Sequence, residues 1–226
     1  LTNRLLSSIW HRDAIESVEI RFDETLGLEG RAGFYDGTGA LEDMLQSHLL
    51  QILALVAMEP PARLDEQDLR DQIAHVLRAT AVYDDDPVRW SRRGRYTAGT
   101  AGGRDLPDYV AEDGVDPGLD TETFAEVTFA VHTQRWAGVP FTLRSGKALE
   151  ADRQELRLTL RPLPQDVPGL TGPTPAEVLV IDLDSGVLRL ELSTNGRGDP
   201  FRLERTALTS GPVPPRLPAY GEVVRA

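Results

Sequence analysis

The chain has 226 residues, 40% of them hydrophobic and 27% charged, which is enough for one sizeable core or at most two small domains. A formal net charge of −12 with no basic stripe to offset it excludes a phosphate backbone, and so nucleic acid, as a partner. Cysteine is absent, which excludes disulfides and thiolate chemistry and fits a reducing, cytoplasmic setting; no apolar run approaches the ~20 residues of a membrane span, and no signal peptide is legible, so no membrane partner is expected.

The first expected element is a helix carrying Leu5, Leu6, Ile9 and Trp10. Residues 16–24 alternate Val18, Ile20 and Phe22 against Glu19, Arg21 and Asp23, the pattern of a half-buried strand. A glycine-rich loop over 27–33 follows, then a long helix over 38–58. Its apolar positions include Leu41, Leu45, Ile52 and Leu55, with Met44, Leu49, Leu53 and Val56 widening the stripe. Pro60-Pro61 ends it, and Asp65 caps a second helix reaching Arg78, with Leu69, Ile73, Val76 and Leu77 inward. Residues 84–118 read as a long polar loop with one helical turn near 87–90. Strands are expected at 127–134, 141–144, 155–161, 178–183, 187–192 and 201–208, separated by turn residues, with 162–175 a loop. Helices first and hairpin-linked strands later give an α+β fold with a large, mostly antiparallel sheet. The chain starts without Met, and Tyr220 with Val223-Val224 begins another helical pattern just before Ala226, so residues 1–226 are expected to be one domain of a longer polypeptide.

Gly27-x-x-Gly30-x-x-Gly33 follows a strand and precedes a helix, as a dinucleotide fingerprint does. Its spacing is not that of the fingerprint, Glu24 and Glu29 would face the pyrophosphate, and no second parallel strand follows, so the glycines are read as turn formers. The histidines His11, His48, His75 and His132 lack ligand spacing, and no metal site is expected. Arg92-Arg93-Gly94-Arg95 reads as a solvated basic loop or as an ion-pairing run for Asp84, Asp85, Asp86 or a partner chain. Of 24 basic residues the single lysine is Lys147, either a chance survivor or a position that needs a compact ammonium.

His48 falls on the apolar stripe, three residues after Leu45 and four before Ile52, and admits two readings. One is a satisfied core histidine. The other is a general base, because Glu24 closes the preceding strand, Asp43 shares the helix, and an imidazole with carboxylate company suits proton transfer near neutral pH. Asp43 and His48 are five residues apart, about 140° around an α-helix, so that spacing does not bring them together.

Longer words carry a family resemblance. They include Val18-Glu19-Ile20, Gly27-Leu28-Glu29-Gly30-Arg31, Gly33-Phe34-Tyr35-Asp36, Gly39-Ala40-Leu41, Asp43-Met44, Gln46 and His48-Leu49-Leu50-Gln51. Leu55-Val56-Ala57-Met58-Glu59-Pro60-Pro61, Arg93-Gly94 with Tyr96, Thr121-Glu122-Thr123-Phe124-Ala125, Arg135-Trp136-Ala137-Gly138-Val139-Pro140-Phe141 and Leu143-Arg144-Ser145-Gly146-Lys147-Ala148-Leu149 continue the series. Together they resemble the C-terminal domain of the glucose-6-phosphate dehydrogenase family over nearly the whole chain.

That resemblance implies a large mostly antiparallel sheet with helices packed on one face and homodimers formed through that sheet; an exposed sheet face that is apolar would need such a partner. It implies NADP-dependent oxidation of glucose 6-phosphate at C1 to 6-phosphogluconolactone in the pentose phosphate pathway, with NADP bound mainly by an N-terminal Rossmann domain upstream of Leu1. By resemblance His48 is the general base, and Glu24, Asp43, Lys147 and, with one extra residue of spacing, Arg153 contact substrate. Ser47 stands where the family usually has Asn, Asp182 where many members have a substrate-contacting Gln, and Arg95 replaces the Gln of its loop word. The family's Asp-His-Tyr-Leu-Gly-Lys segment is not in this chain. Those departures leave two alternatives: a non-catalytic paralogue or scaffold that keeps the fold and dimer interface, and a sugar-phosphate-binding module without redox chemistry.

Overall fold

The computed structural model of the protein describes residues 3–162 and 168–211, so Tyr220, Val223-Val224 and part of the 162–175 loop lie outside the described residues. A four-residue helix α1 (Arg4–Ser7) lies where the first helix is expected, and Trp10 beyond it sends its indole N–H to the Val56 carbonyl at 2.8 Å. Strand β1 (Ile15–Asp23) follows the expected alternation, with Val18 and Ile20 buried and Glu19 and Arg21 on the opposite face. The glycine-rich loop leads into a single helical turn, α2 (Ala32–Tyr35).

The long helix is shorter and less regular than its apolar stripe suggests. It opens with a nine-residue π-helix, Leu41–Leu49, and continues as α3 (Leu50–Ala57). Thr38 and Gly39 stay outside it, because Gly39 adopts a left-handed φ of 68°. Leu45, Leu49, Leu53, Ala54, Val56 and Ala57 are buried, whereas Leu41 and Leu55 are turned to the surface. Helix α4 (Glu66–Arg78) has the expected cap: the Asp65 carboxylate accepts from the Asp68 N–H at 2.8 Å, supplying one of the acceptors a helix start lacks. Leu69 and Ile73 pack on the core and Val76 is buried, but Leu77 is exposed.

The stretch 84–118 is not one loop. After β2 (Thr80–Val82) comes β3 (Ser91–Gly94), which pairs with β6, and a small hairpin of β4 (Gly99–Ala101) and β5 (Arg104–Leu106). The basic run is therefore strand at its start, and its partners are not Asp84 to Asp86. Arg92 lies 3.9 Å from Glu126, Arg93 3.7 Å from Glu122 and Arg95 3.5 Å from Asp120. The remaining strands are β6 (Phe124–Val131), β7 (Pro140–Gly146), β8 (Arg153–Leu160), β9 (Val178–Asp182), β10 (Leu188–Asn195) and β11 (Leu203–Thr209), each overlapping its expected span.

Nine strands form one sheet in the order β11-β10-β9-β8-β1-β7-β6-β2, with β3 beside β6. Its pairs are antiparallel except β1 with β7. The fold is α+β, as expected. The core lies between the helices and one sheet face, where Val18, Ile20, Phe141, Leu143, Leu156 and Leu158 meet Leu45, Leu49, Leu53 and Val76. Two indoles tie the end of α3 to the sheet edge: Trp136, fully buried, donates to the Ala57 carbonyl at 2.9 Å, beside the Trp10 bond. Arg135 forks onto Glu59 and the Trp10 carbonyl, and this bonding to Glu59 holds the guanidinium above its ordinary pKa.

The other face of the sheet is polar, so the need for a partner that an apolar face would create does not arise from it. It carries alternating charge: Arg21 pairs with Glu19 and reaches Glu155, Arg144 pairs with the buried Asp23 at 2.9 Å, and Glu191 is shared by Arg189 and Arg205. The Arg205 hydrogen bond, then the nearby guanidinium charges, hold the Glu191 carboxyl below its usual range.

Candidate functional site

Because β1 and β7 run parallel, both strands leave the sheet at the same end, and residues 24 and 147 emerge side by side. The ladder continues irregularly past the strands: the Glu24 N–H donates to the Gly146 carbonyl, the Lys147 N–H to Thr123 and the Leu149 N–H to Glu24, each at 2.9 Å. The buried Lys147 puts its ammonium 2.5 Å from Glu24 Oε2 and 5.3 Å from the centre of the Tyr35 ring.

Tyr35 comes from α2 and is 4% exposed. Burial, then the charge of Glu122, the neighbouring Tyr109, Asp43 and Glu24, push its phenol far above the ordinary tyrosine value, so it stays neutral. Asp36, next in sequence, is also buried. It accepts from Tyr109 Oη at 2.6 Å and from the Asp116 N–H at 2.7 Å, which packs the 109–116 segment over the turn that positions Tyr35. The same carboxylate and burial raise the Tyr109 phenol, burial being the larger cause.

The π-helix changes the relation between Asp43 and His48. Its hydrogen bonds close five residues apart, as the Leu50 N–H shows by reaching the Leu45 carbonyl. Residues i and i+5 then lie about one turn apart and nearer in angle, so Asp43 and His48 fall on one side of the helix instead of standing about 140° apart as in an α-helix. The same winding keeps Leu45 and Leu49 in the core and turns His48 outward. His48 is exposed and Asp43 half-buried, so the core-histidine reading does not describe this residue. Ser47 donates its hydroxyl to the Glu42 carbonyl at 2.9 Å, again five residues back.

Glu24, Lys147 and Asp43 are therefore gathered around Tyr35, with His48 one π-turn beyond Asp43. Arg153 stands apart. It is exposed, opens β8 opposite Asp23, and shares the phase of Glu155 and Arg157 on the open sheet face. Asp182 ends β9 opposite Glu155 and accepts from the Ser185 N–H and hydroxyl, both at 2.7 Å; these bonds hold its carboxyl below the usual range.

Two participants are absent from the sequence reading: Tyr35, which is the floor under Lys147, and Glu122, whose carboxylate accepts from the Leu41 N–H at 2.9 Å. Both residues lie inside the family words Gly33-Phe34-Tyr35-Asp36 and Thr121-Glu122-Thr123-Phe124-Ala125, and both are buried. A cavity of about 390 Å³ lies alongside, lined by residues including Arg95, Tyr96, Phe124 and Lys147, but Glu24, Asp43 and His48 do not line it. The candidate site is an open surface at the C-terminal ends of the central strands β1 and β7. Among the described residues no group of three or more His, Asp or Glu side chains could hold a metal ion.

A dinucleotide does not fit the residues present. The Leu28 N–H of the glycine-rich loop donates to Tyr96 Oη at 3.1 Å, Glu29 pairs with Arg104 at 3.3 Å, and Glu24 occupies Lys147. The parallel neighbour of β1 is β7, more than a hundred residues on, so no helical crossover delivers a phosphate-binding turn.

The comparisons with known proteins agree with this geometry. Residues 1–211 match the family model described as glucose-6-phosphate dehydrogenase, C-terminal domain. The glucose-6-phosphate 1-dehydrogenase of Zymomonas mobilis is 43% identical over 171 residues, covering 75% of this chain and 35% of that protein. The Drosophila melanogaster enzyme of the same name is 38% identical over 210 residues, 91% of this chain and 39% of that one. The crystal structure of glucose-6-phosphate 1-dehydrogenase from Mycobacterium avium superimposes with a TM-score of 0.80 at 35% identity, over 94% of this chain and 44% of that chain. A glucose-6-phosphate dehydrogenase solved in complex with glucose 6-phosphate also gives 0.80, at 30% identity, over 99% of this chain and 43% of that chain. The chain thus spans well under half the length of the relatives it matches. By sequence and by fold, the chain belongs to the glucose-6-phosphate dehydrogenase family, as its C-terminal domain.

Proposed function

We propose that the protein containing this chain oxidises glucose 6-phosphate at C1 to 6-phosphogluconolactone in the pentose phosphate pathway, in the cytoplasm, with this chain binding the sugar and taking the proton. His48 accepts the C1 hydroxyl proton, with Asp43 one π-turn earlier on the same helix. Glu24, Asp43 and Lys147 hold sugar hydroxyls, each a charged group that strengthens a hydrogen bond to a polyol. Arg153, exposed and without an ion pair among the described residues, lies on the open sheet face away from this group, and only the resemblance supports it as a substrate contact. The electron pair leaves as hydride to a nicotinamide coenzyme, NADP in this reading, held by residues outside this chain.

The observation that carries the proposal is an exposed His48 one π-turn after Asp43 on the same helix; the Asp43 carboxylate acts on Tyr35 together with Glu24, while Lys147 lies over the Tyr35 ring. A solved relative with the same fold carries glucose 6-phosphate. The direct test is NADP reduction by the full-length protein. It should depend strictly on glucose 6-phosphate, and the isolated chain should form no NADPH. A full-length protein that reduces neither NADP nor NAD with this sugar contradicts the proposal.

We also propose a homodimer through the open sheet face. Its alternating Glu and Arg rows suit a two-fold contact in which each carboxylate meets a guanidinium of the other copy. Interfaces of permanent dimers exceed about 2,000 Å². Light scattering at micromolar concentration should give twice the monomer mass, and a monomer would count against it.

A further inference from the structure

The π-helix that puts Asp43 and His48 on one side is not held by its own sequence. Its N-terminal neighbour Ala40 is already helical, and no side chain of its own caps it. The first amides are taken by a residue from the far side of the fold. The Ala40 N–H donates to the Glu122 carbonyl at 3.1 Å, and the Leu41 N–H donates to Glu122 Oε1 at 2.9 Å. Glu122 is buried just ahead of β6. Arg93 on β3 stands 3.7 Å from its other oxygen, offsetting part of the cost of burying the charge. The neighbouring Thr123 N–H is fixed to the Gly94 carbonyl at 2.9 Å, so the clamp is anchored in the sheet.

The space for this clamp exists because residue 39 is glycine. A Cβ there would lie 2.6 Å from Glu122 Oε1, and the φ of 68° is one that side-chain-bearing residues rarely adopt. A π-helix is a strained winding that persists only where its surroundings impose it. Here the start is held by Glu122, while Leu45 and Leu49 anchor the helix in the core without choosing between π and α winding. Were the start released, relaxation to α winding would keep the leucines inward and swing Asp43 away from His48.

We propose that Glu122 is a positioning residue for the reaction: it holds the first amides of the π-helix and so fixes the register in which Asp43 assists His48. Glu122 itself does not touch substrate. The proposal rests on the reading of His48 as the base.

The test is a double-mutant cycle in the full-length protein between Glu122→Ala and His48→Asn, with Glu122→Gln as the conservative control. Glu122→Ala should lower kcat by about tenfold or more with a smaller change in KM for glucose 6-phosphate, because the register serves proton transfer more than binding. Glu122→Gln, whose amide oxygen still accepts from the Leu41 N–H, should recover most of that loss. In the His48→Asn background Glu122→Ala should cost little more, since it acts through the base already removed. If His48→Asn is crippled and Glu122→Ala still lowers the residual kcat by its full factor, Glu122 acts independently of His48 and the proposal is overturned while the functional reading stands. Failure of Glu122→Gln to recover kcat overturns it equally. If His48→Asn turns over at the parental rate, the functional reading itself falls and the proposal falls with it.

Discussion

The Lys147 ammonium lies 2.5 Å from Glu24 Oε2, where the parallel strands β1 and β7 end together. The ammonium lies 5.3 Å from the centre of the Tyr35 ring, and as a compact point charge it is not interchangeable with the planar fork of arginine. Lys147→Met in the full-length protein should raise KM for glucose 6-phosphate by about tenfold or more, equivalent to about 1.4 kcal/mol of binding, with a smaller effect on kcat. Lys147→Arg should not restore it. An unchanged KM in Lys147→Met would remove the lysine from substrate binding.

Two glycines with similar backbone angles should respond differently to alanine. Gly30 (φ 73°) has open space where a Cβ would go, so Gly30→Ala should cost only the left-handed conformation, about 1 kcal/mol. Gly39 (φ 68°) adds the collision with Glu122 Oε1. Gly39→Ala should cost about 2 kcal/mol or more, read from urea unfolding. Equal costs would show that the Glu122 carboxylate yields without penalty.

Trp136 is fully buried, and its indole N–H satisfies the Ala57 carbonyl at 2.9 Å. Trp136→Phe leaves that acceptor unpaired and opens a small cavity, which should destabilise the fold by about 2–4 kcal/mol. Urea midpoints of the two proteins at equal slope measure it, and a loss under 1 kcal/mol would mean the end of α3 relaxes onto another donor.

Alkaline stability should fall earlier than the carboxylates and arginines alone would require. The phenols of Tyr35, Tyr96 and Tyr109 are raised above the ordinary value, mainly by burial, with Glu112 adding to Tyr96 and Asp36 to Tyr109. A raised folded pKa means that the stabilising difference is fully present below the unfolded tyrosine pKa of about 10 and is lost as pH climbs above it. Removing the Tyr35 hydroxyl removes one of these raised phenols, so Tyr35→Phe should flatten the loss of stability above about pH 10, as followed by urea midpoints. An unchanged alkaline slope would show that this phenol ionises freely in the folded state.

Much of the fold is legible because periodicity reports burial. The alternation in β1 and the Asp65 cap of α4 are local facts that the tertiary structure keeps. Strand β3 escapes the same reading. Ser91, Arg92 and Arg93 lie on the rim of the sheet, where polar side chains are solvated and no apolar alternation marks the strand. The site is legible only in part. Glu24, Asp43, His48 and Lys147 stand out as polar residues in specific words, but their arrangement depends on contacts across more than eighty residues of sequence. The π winding is the clearest loss: a 3.6-residue period puts His48 on the apolar stripe and apart from Asp43, whereas the folded helix is wound with i to i+5 bonds and leaves His48 exposed.

The central claim is that His48 is the proton acceptor, and the most direct measurement is the steady-state kinetics of His48→Asn in the full-length protein at equal folded concentration. The imidazole is exposed and contributes nothing to the core, so the fold should tolerate the change within about 0.5 kcal/mol. The account predicts a fall in kcat of about 10²-fold or more with a much smaller change in KM for glucose 6-phosphate. A kcat equal to that of the parent would remove His48 from the mechanism.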